Sequence, residues 1–274
     1  MTFRRKEVIG ACTLYLGDCM DVLPKIQGVQ TIITSPPYNL GSSTGGGKAR
    51  TGHYAADASM SARGGQGKWS RSKANGGLGS GYASYADNMP HDKYVEWQKA
   101  FLSRCWEALT ESGSIFYNHK PRIVNGILIT PLAYVPDLPV RQIVVWARAG
   151  GINYSPSYYV PTHEWLVVVA KPDFRLRDQS ASGVGDVWKI PQERNEHHPA
   201  PFPLKIPAQI LETTKAGLVL DPFMGSGTTG VACVQAGRPF IGIELDEGYF
   251  ETACKRIREA GNQRDMFVTT EASA

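Results

Sequence analysis

The chain of 274 residues has no C-x-x-C pair. Its five cysteines (Cys12, Cys19, Cys105, Cys233 and Cys254) are scattered and odd in number. That pattern argues against a disulfide framework and against a zinc site, and for reduced, buried thiols. No metal is expected. No apolar run approaches the roughly 18 residues of a membrane-spanning helix. The opening MTFRRKEVIG carries charge but lacks the apolar core of a signal peptide. The expectation is a cytoplasmic protein with no membrane association. Net charge is small, with 29 basic against 25 acidic residues. This balance permits an anionic partner without demanding one. Internal repeats are absent. What is present, 42% hydrophobic and 20% charged residues, suits a globular protein with a sizeable core.

Along the chain, short apolar runs alternate with helical patterns. Strands are expected at Leu14–Leu16, Gln30–Thr34, Ser114–Tyr117, Arg141–Trp146, Glu164–Ala170, Gly217–Leu220 and Pro239–Ile243. A brief helix is expected over Met20–Ile26, despite Pro24 inside it. Tyr94, Trp97, Phe101, Trp106 and Leu109 form a helical stripe that ends near Gly113. Further helices are expected over Pro207–Thr214, Thr228–Ala236 and Glu247–Ala260, with a frayed tail after Gly261. Asp173–Asn195 reads as polar and irregular. Strands that alternate with helices and are apolar on both faces imply an α/β fold with a mostly parallel sheet, here of seven strands in a single domain.

Residues 41–90 break this pattern. They hold 12 glycines, and Lys48, Arg50, Arg63, Lys68, Arg71 and Lys73 face only Asp57 and Asp87. A loop this long inside a compact domain is usually functional or disordered.

The stretch GLVLDPFMGSGTTGVACVQAGRPFIGIELD (Gly217–Asp246) is a strand, a glycine turn, a helix and a second strand ending in an acid. Glycines let the backbone approach a ligand closely. Ligands of open α/β sheets bind beyond the carboxyl ends of the strands. Glu244 ends the second strand, where an acid can hold both hydroxyls of a ribose. A phosphate-binding P-loop would need a lysine after the glycines, and Gly227 is followed by Thr228. Taken alone, the turn is also compatible with a plain helix cap.

A second motif narrows the choice. TIITSPPYNLG (Thr31–Gly41) runs from a β-branched strand straight into Ser35-Pro36-Pro37-Tyr38, although proline cannot donate to a sheet ladder. With Asp221-Pro222-Phe223-Met224-Gly225-Ser226-Gly227-Thr228, this tetrad resembles the S-adenosylmethionine-dependent amino-methyltransferases of DNA. That family carries a D/N/S-P-P-Y/F tetrad and a D-P-F-x-G-S-G-T turn. The catalytic motif precedes the cofactor motif here, as in the permuted group called class beta. Gly17-Asp18 is similar to the family's motif whose acid faces the cofactor adenine. HPAPFP, with His198 and Phe202, looks like the motif lining the methionine end of the cofactor. HEWLVVVAK (His163–Lys171) resembles a late strand of the catalytic half.

The resemblance implies a Rossmann-like methyltransferase fold with S-adenosylmethionine as cofactor and duplex DNA as partner. The cofactor residues it implies are Asp18, His198, Phe202, Asp221, Pro222, Phe223, Gly225, Ser226, Gly227, Thr228 and Glu244. Ser35, Pro36, Pro37 and Tyr38 become the catalytic set. An exocyclic amine is a poor nucleophile because its lone pair is spread into the ring. The Ser35 side chain and the Pro36 carbonyl are implied to accept its two N–H bonds, in a preorganised frame. Tyr38 offers a flat face to the extruded base. No cysteine follows a proline, so the covalent thiolate route of carbon-5 cytosine methylation is not expected. Transfer is expected to be one in-line displacement driven by positioning.

A serine at position 35 favours cytosine N4 as the target, with adenine N6 as the alternative. A catalytically inactive DNA-binding protein of the same fold is a second alternative, although neither motif is damaged. The six basic residues of the 41–90 insertion are expected to contact phosphates, with Tyr54, Trp69, Tyr82 and Tyr85 to stack or wedge. The segment 172–196 occupies the place of the family's target-recognition region and is short. A short recognition site is therefore expected, with readout shared with the loop or with a second subunit. The resemblance leaves room for a homodimer and for a cognate restriction endonuclease acting on the same site. His119 and Lys120 either line the site or simply end their strand.

Overall fold

In the computed structural model, which describes residues 3–39, 89–124, 126–148, 156–192 and 202–271, the apolar runs assemble into one nine-stranded sheet. The elements in chain order are β1 (Arg5–Ile9), β2 (Cys12–Leu16), α1 (Cys19–Val22), β3 (Val29–Thr34), α2 (His91–Ala108) and β4 (Leu109–His119). There follow β5 (Arg122–Val124), β6 (Ile127–Ile129), β7 (Val140–Ala147), β8 (His163–Ala170), α3 (Gln179–Ser182) and β9 (Val187–Lys189). The chain then forms α4 (Lys205–Thr213), β10 (Leu218–Asp221), α5 (Thr228–Gln235), β11 (Phe240–Glu244) and α6 (Glu247–Glu271). The sheet order is β1-β2-β11-β10-β3-β4-β8-β7-β9, and β5 pairs with β6 as a separate antiparallel hairpin.

Strands β2, β11, β10, β3 and β4 pair in parallel, as do β7 and β9. The antiparallel pairs are β1 with β2, β4 with β8, and β8 with β7. Seven strands therefore point one way, and only β1 and β8 point the other. The mostly parallel α/β sheet expected from the sequence is present.

The expected count of seven strands is corrected to nine. The two additions, β1 and β9, are the outermost strands. Each pairs on one side only, so neither is the doubly buried apolar run that marks the inner strands. The segment read as irregular, 173–195, thus contributes β9 and the short α3. Three helix boundaries also shift. Pro24 turns the end of the first helix into a single 3-10 turn over Leu23–Lys25. Helix α2 stops at Ala108, and Leu109 already pairs with Val29. The last helix runs past Gly261 to Glu271 rather than fraying there.

Both faces of the sheet are covered, so side chains alternate between two cores. Ile33, Val219 and Val168 face Ile206, Ile210, Val231, Phe250 and Ile257 of α4, α5 and α6. Their neighbours Ile32, Leu220 and Val167 face Tyr94, Phe101 and Leu102 of α2 and Leu23. Each fully buried aliphatic side chain contributes roughly 1.5–3 kcal/mol. All five cysteines are free and buried, in keeping with the expectation of reduced thiols. Among the described residues no helix is long and apolar enough to cross a membrane.

The connections decide where a ligand goes. The chain leaves β3 for α2 on one face and leaves β10 for α5 on the other, while β3 and β10 lie side by side. Such a reversal opens a crevice at the carboxyl ends of the two strands. The serine tetrad follows β3, and the glycine turn follows β10.

Close packing of α5 against α6 depends on one glycine of that turn. Gly227 has φ +82°, and a β-carbon there would lie 2.9 Å from Ala253 Cβ and 3.0 Å from Ala253 Cα. Gly227→Ala is expected to destabilise the fold by about 1–3 kcal/mol, from left-handed strain plus displacement of α6. Thermal or denaturant unfolding of the purified variant measures it.

Candidate active site

The carboxyl ends of β3, β4, β10 and β11 and the start of β8 bring the site together. β3 stops at Thr34, because the next residues but one are prolines that cannot continue a ladder. The backbone beyond it is held by bonds from other elements. The Tyr94 hydroxyl of α2 donates to the Pro37 carbonyl (2.6 Å) and accepts from the Gln98 amide (2.6 Å). Arg122 of β5 donates to the carbonyls of Tyr38 (2.7 Å) and Asn39 (3.1 Å), and to the Tyr134 hydroxyl (2.8 Å). Asn39 adopts φ +53°, a conformation asparagine tolerates better than most residues. Its side-chain amide bonds Met89 in both directions, donating to the carbonyl (2.8 Å) and accepting from the N–H (2.7 Å). Carbonyls 37, 38 and 39 are thus all engaged. Among the described residues the Pro36 carbonyl, in the same run, receives no hydrogen bond.

The Ser35 hydroxyl lies 3.1 Å from the Tyr38 hydroxyl and 3.1 Å from Asn118 Oδ1 of β4. The Tyr38 hydroxyl lies 2.8 Å from Asn118 Oδ1 and 3.1 Å from Glu164 Oε2 of β8. The Asn118 amide nitrogen donates to the Trp165 carbonyl (3.2 Å), which fixes its oxygen toward the two hydroxyls. On its far side Glu164 forms an ion pair with Arg148 (3.5 Å). Two hydroxyl protons therefore serve four close contacts. The cluster is rich in acceptor lone pairs and poor in protons, which suits a ligand bearing an NH₂ group.

His119 stands beside this cluster. Its ring packs on Tyr38 with centroids 4.6 Å apart, and its Nε2 lies 2.9 Å from the Tyr94 hydroxyl. Burial pushes its pKa down to about 3, so the imidazole is neutral near pH 7. The Lys120 ammonium sits 5.4 Å from the Tyr38 ring centroid. His119 is fully buried, so it supports Tyr38 from within the protein, while Lys120 stands over the Tyr38 ring.

The glycine turn stands on the neighbouring strand. Asp221 accepts from Thr229 Oγ1 (2.6 Å) and the Phe223 N–H (3.1 Å). Glu244 accepts from the N–H groups of Gly225 (2.9 Å) and Asp246 (2.8 Å). Each carboxylate oxygen has two acceptor sites, so Glu244 keeps capacity for further donors. Gly225 has φ +51°, and a β-carbon there would meet nothing within 4 Å, so open space adjoins the turn. Pro222 is buried, and Phe223 packs on Phe101 with centroids 4.9 Å apart. The hydroxyls of Ser226 (2.9 Å) and Thr228 (3.2 Å) accept from Arg256 of α6. Arg256 also donates to the Ser226 carbonyl (2.6 Å), so both the main chain and the side chain of the turn are anchored from behind. The Gly17 N–H donates to the Glu244 carbonyl (2.8 Å), which sets Asp18 at the adjacent strand end. Asp18 is exposed and caps α1 through the Met20 N–H (2.8 Å). Phe202 packs edge-on to Trp146 at 6.3 Å.

His198 and the six basic residues Lys48, Arg50, Arg63, Lys68, Arg71 and Lys73 lie outside the described residues. So do Tyr54, Trp69, Tyr82, Tyr85 and the end of the 172–196 segment. Among the described residues no group of three His, Cys, Asp or Glu side chains is placed to hold a metal ion. Sequence reasoning missed Tyr94, Asn118, Arg122, Arg148, Glu164 and Arg256. Two of them carried a signal: Asn118 with His119, and Glu164 with His163, border the apolar runs Ile115–Tyr117 and Trp165–Ala170.

A crevice at a strand reversal, with a glycine turn on one side and a cluster of acceptors on the other, defines a Rossmann-like group-transfer enzyme. The family model described as DNA methylase matches residues 29–255, and the chain belongs to that family. Its members are S-adenosylmethionine-dependent methyltransferases acting on exocyclic amines. The type II methyltransferase M.BglI of Bacillus subtilis is 45% identical over 158 residues, which cover 52% of this chain and 45% of M.BglI. The DNA adenine methyltransferase YhdJ of Escherichia coli is 22% identical over 295 residues, covering 92% of this chain and 84% of YhdJ. Among solved structures, the cytosine-N4-specific PvuII DNA methyltransferase superposes with a TM-score of 0.66 at 17% identity, covering 95% of each chain.

Burial raises the pKa of Asp221 to about 6 and that of Glu244 to about 7, against hydrogen bonds that act in the opposite sense. The folded protein therefore binds these two protons more tightly than the unfolded chain. The stability they lend is complete below the ordinary carboxylate range and is lost as pH rises through 6 and 7. The melting temperature of the ligand-free protein is expected to fall between pH 5 and 7.5, by less in Glu244→Gln. A thermal unfolding series against pH measures both.

Proposed function

We propose that this enzyme transfers a methyl group to cytosine N4 in duplex DNA at a specific site, with Ser35 and the Pro36 carbonyl accepting the two N–H bonds of the amine. The observation that carries this reading is the proton-poor cluster of Ser35, Tyr38 and Asn118 beside a Pro36 carbonyl that has no hydrogen-bond donor among the described residues. As the nitrogen becomes pyramidal, its N–H groups become stronger donors, and fixed acceptors stabilise that change. The one Ser35 proton can point to Asn118 or to Tyr38, so a Ser35 lone pair is free to face the amine. Tyr38 supplies the stacking face for a base turned out of the duplex.

The glycine turn fits S-adenosylmethionine, with Gly225 giving close backbone approach and Glu244 accepting from the ribose hydroxyls. Asp18, Asp221, Pro222, Phe223 and Phe202 frame the rest of that site, with the main chain of Ser226, Gly227 and Thr228. When bound, the cofactor supplies an electrophilic methyl group on a sulfonium. Lys48, Arg50, Arg63, Lys68, Arg71, Lys73 and His198 keep their sequence-based roles, the six bases toward phosphate and His198 toward the cofactor.

A serine rather than an acid at position 35 favours cytosine. Adenine N6 is the second reading, favoured by the likeness to YhdJ across nine-tenths of the chain. A restriction endonuclease acting on the same site belongs to the reading, supported by the type II name of M.BglI. So does a homodimer, because the short 172–196 segment gives one copy little surface for reading DNA.

The test is incubation of unmethylated DNA with the enzyme and labelled S-adenosylmethionine, followed by mass spectrometry of the nucleosides. Label is expected in N4-methylcytosine, and label in N6-methyladenine would establish the second reading. Ser35→Ala is expected to lower the rate about 100-fold or more, as for other preorganised acceptors and donors. Glu244→Ala is expected to weaken cofactor binding with less effect on DNA binding, both read by calorimetry.

A further inference from the structure

The amine must lose a proton as well as gain a methyl group, and the cluster shows where that proton can go. Ser35 Oγ is 3.1 Å from Tyr38 Oη, and Tyr38 Oη is 3.1 Å from Glu164 Oε2. These three oxygens form a continuous path from the amine-accepting position to a carboxylate. Asn118 touches both hydroxyls but cannot serve as the terminus. Its oxygen belongs to an amide, and its nitrogen is already donating to the Trp165 carbonyl. His119 is a poor terminus as well, because its buried ring disfavours a second proton. Among the described residues Glu164 is the one carboxylate in hydrogen-bond contact with the cluster, and it is itself nearly inaccessible to solvent at 8% exposure. Arg148 stands behind it as a cation.

We propose that Glu164 is the proton acceptor of the reaction, reached through the hydroxyls of Ser35 and Tyr38. The proposal rests on the reading of Ser35 as the partner of the amine. The amine nitrogen bonds the methyl carbon while the carbon–sulfur bond passes its electron pair to sulfur. One N–H proton moves to Ser35 Oγ, the Ser35 proton moves to Tyr38 Oη, and the Tyr38 proton moves to Glu164. Both hydroxyls are regenerated, and the carboxylate becomes a carboxylic acid. The products are a neutral methylated amine, a neutral thioether and protonated Glu164. The effect on rate arises because proton loss accompanies nitrogen attack and keeps positive charge from building on the base.

This assigns the Tyr38 hydroxyl a role separate from that of its ring. Tetrads of the family that end in phenylalanine lack the hydroxyl, so the path belongs to chains with tyrosine and a carboxylate together.

The experiment uses the full-length enzyme, S-adenosylmethionine and a duplex carrying its methylation site, under single-turnover conditions in H₂O and D₂O. Wild type is expected to show a solvent isotope effect on methyl transfer. Glu164→Gln preserves shape but cannot take the proton, and Tyr38→Phe preserves the ring but cuts the path. Each is expected to lower the single-turnover rate about tenfold or more and to abolish the isotope effect. Equilibrium affinities for cofactor and DNA are expected to stay within about twofold, and these also report folding. Wild-type rates in both variants would overturn the relay. Slowed variants that keep the isotope effect would overturn it too, because the side chains would then act by position alone. If wild type itself transfers no methyl group to DNA, the functional reading fails, and that outcome is distinct from failure of the relay.

Discussion

Two parallel strands, β3 and β10, lie side by side while the chain leaves them toward opposite faces of the sheet. Every feature of the site depends on that arrangement. If both chains turned to the same side, one of the following helices would close over the strand ends. Because they part, the main chain beyond Thr34 and beyond Asp221 stands open at a common crevice. The strands themselves are rigid, since Ile32, Ile33, Val219 and Leu220 are buried on alternating faces. The ends of the two strands that carry the glycine turn and Ser35 are thus neighbours, one interstrand spacing of roughly 5 Å apart. Proximity of this kind can account for a large share of a displacement reaction's rate enhancement.

The protein around the crevice is organised to withhold hydrogen bonds as much as to make them. Tyr94 and Arg122 occupy the carbonyls on one side of the Pro36 carbonyl, and among the described residues that oxygen receives no hydrogen bond. Arg256 occupies the hydroxyls of Ser226 and Thr228, so the glycine turn is anchored from behind. Asn118 turns its amide oxygen toward both hydroxyls of the tetrad and donates elsewhere. In each case a side chain from a distant part of the sequence satisfies the groups that are not needed by substrate.

That division explains what was legible in the sequence. The fold class followed from apolar runs separated by helical patterns, and the seven inner strands lay close to their expected places. The edge strands β1 and β9 were hidden because a strand paired on one side need not be apolar. The end of α2 was misplaced because Leu109 fits a helical stripe as well as a strand. Ser35, Tyr38, Gly225 and Glu244 could be picked out because they sit in contiguous motifs. Their supports could not, because Tyr94 reads as a core aromatic in a helical stripe, and Arg122 as a surface charge. Long-range partners such as Glu164, 126 residues from Tyr38, become visible only once the sheet order is known. The glycines divide in the same way: Gly225 adjoins open space, while Gly227 is required by its contact with Ala253.

The paired bonds between Asn39 and Met89 have a consequence for how such a protein can diverge. The described chain stops after Asn39 and resumes at Met89, and these two ends are held against each other. Lengthening or replacing the excursion costs little in closure entropy once its ends are fastened. The distance from the tetrad to α2 stays the same whatever lies between. Sequence change in that interval therefore need not disturb the register of the tetrad against α2.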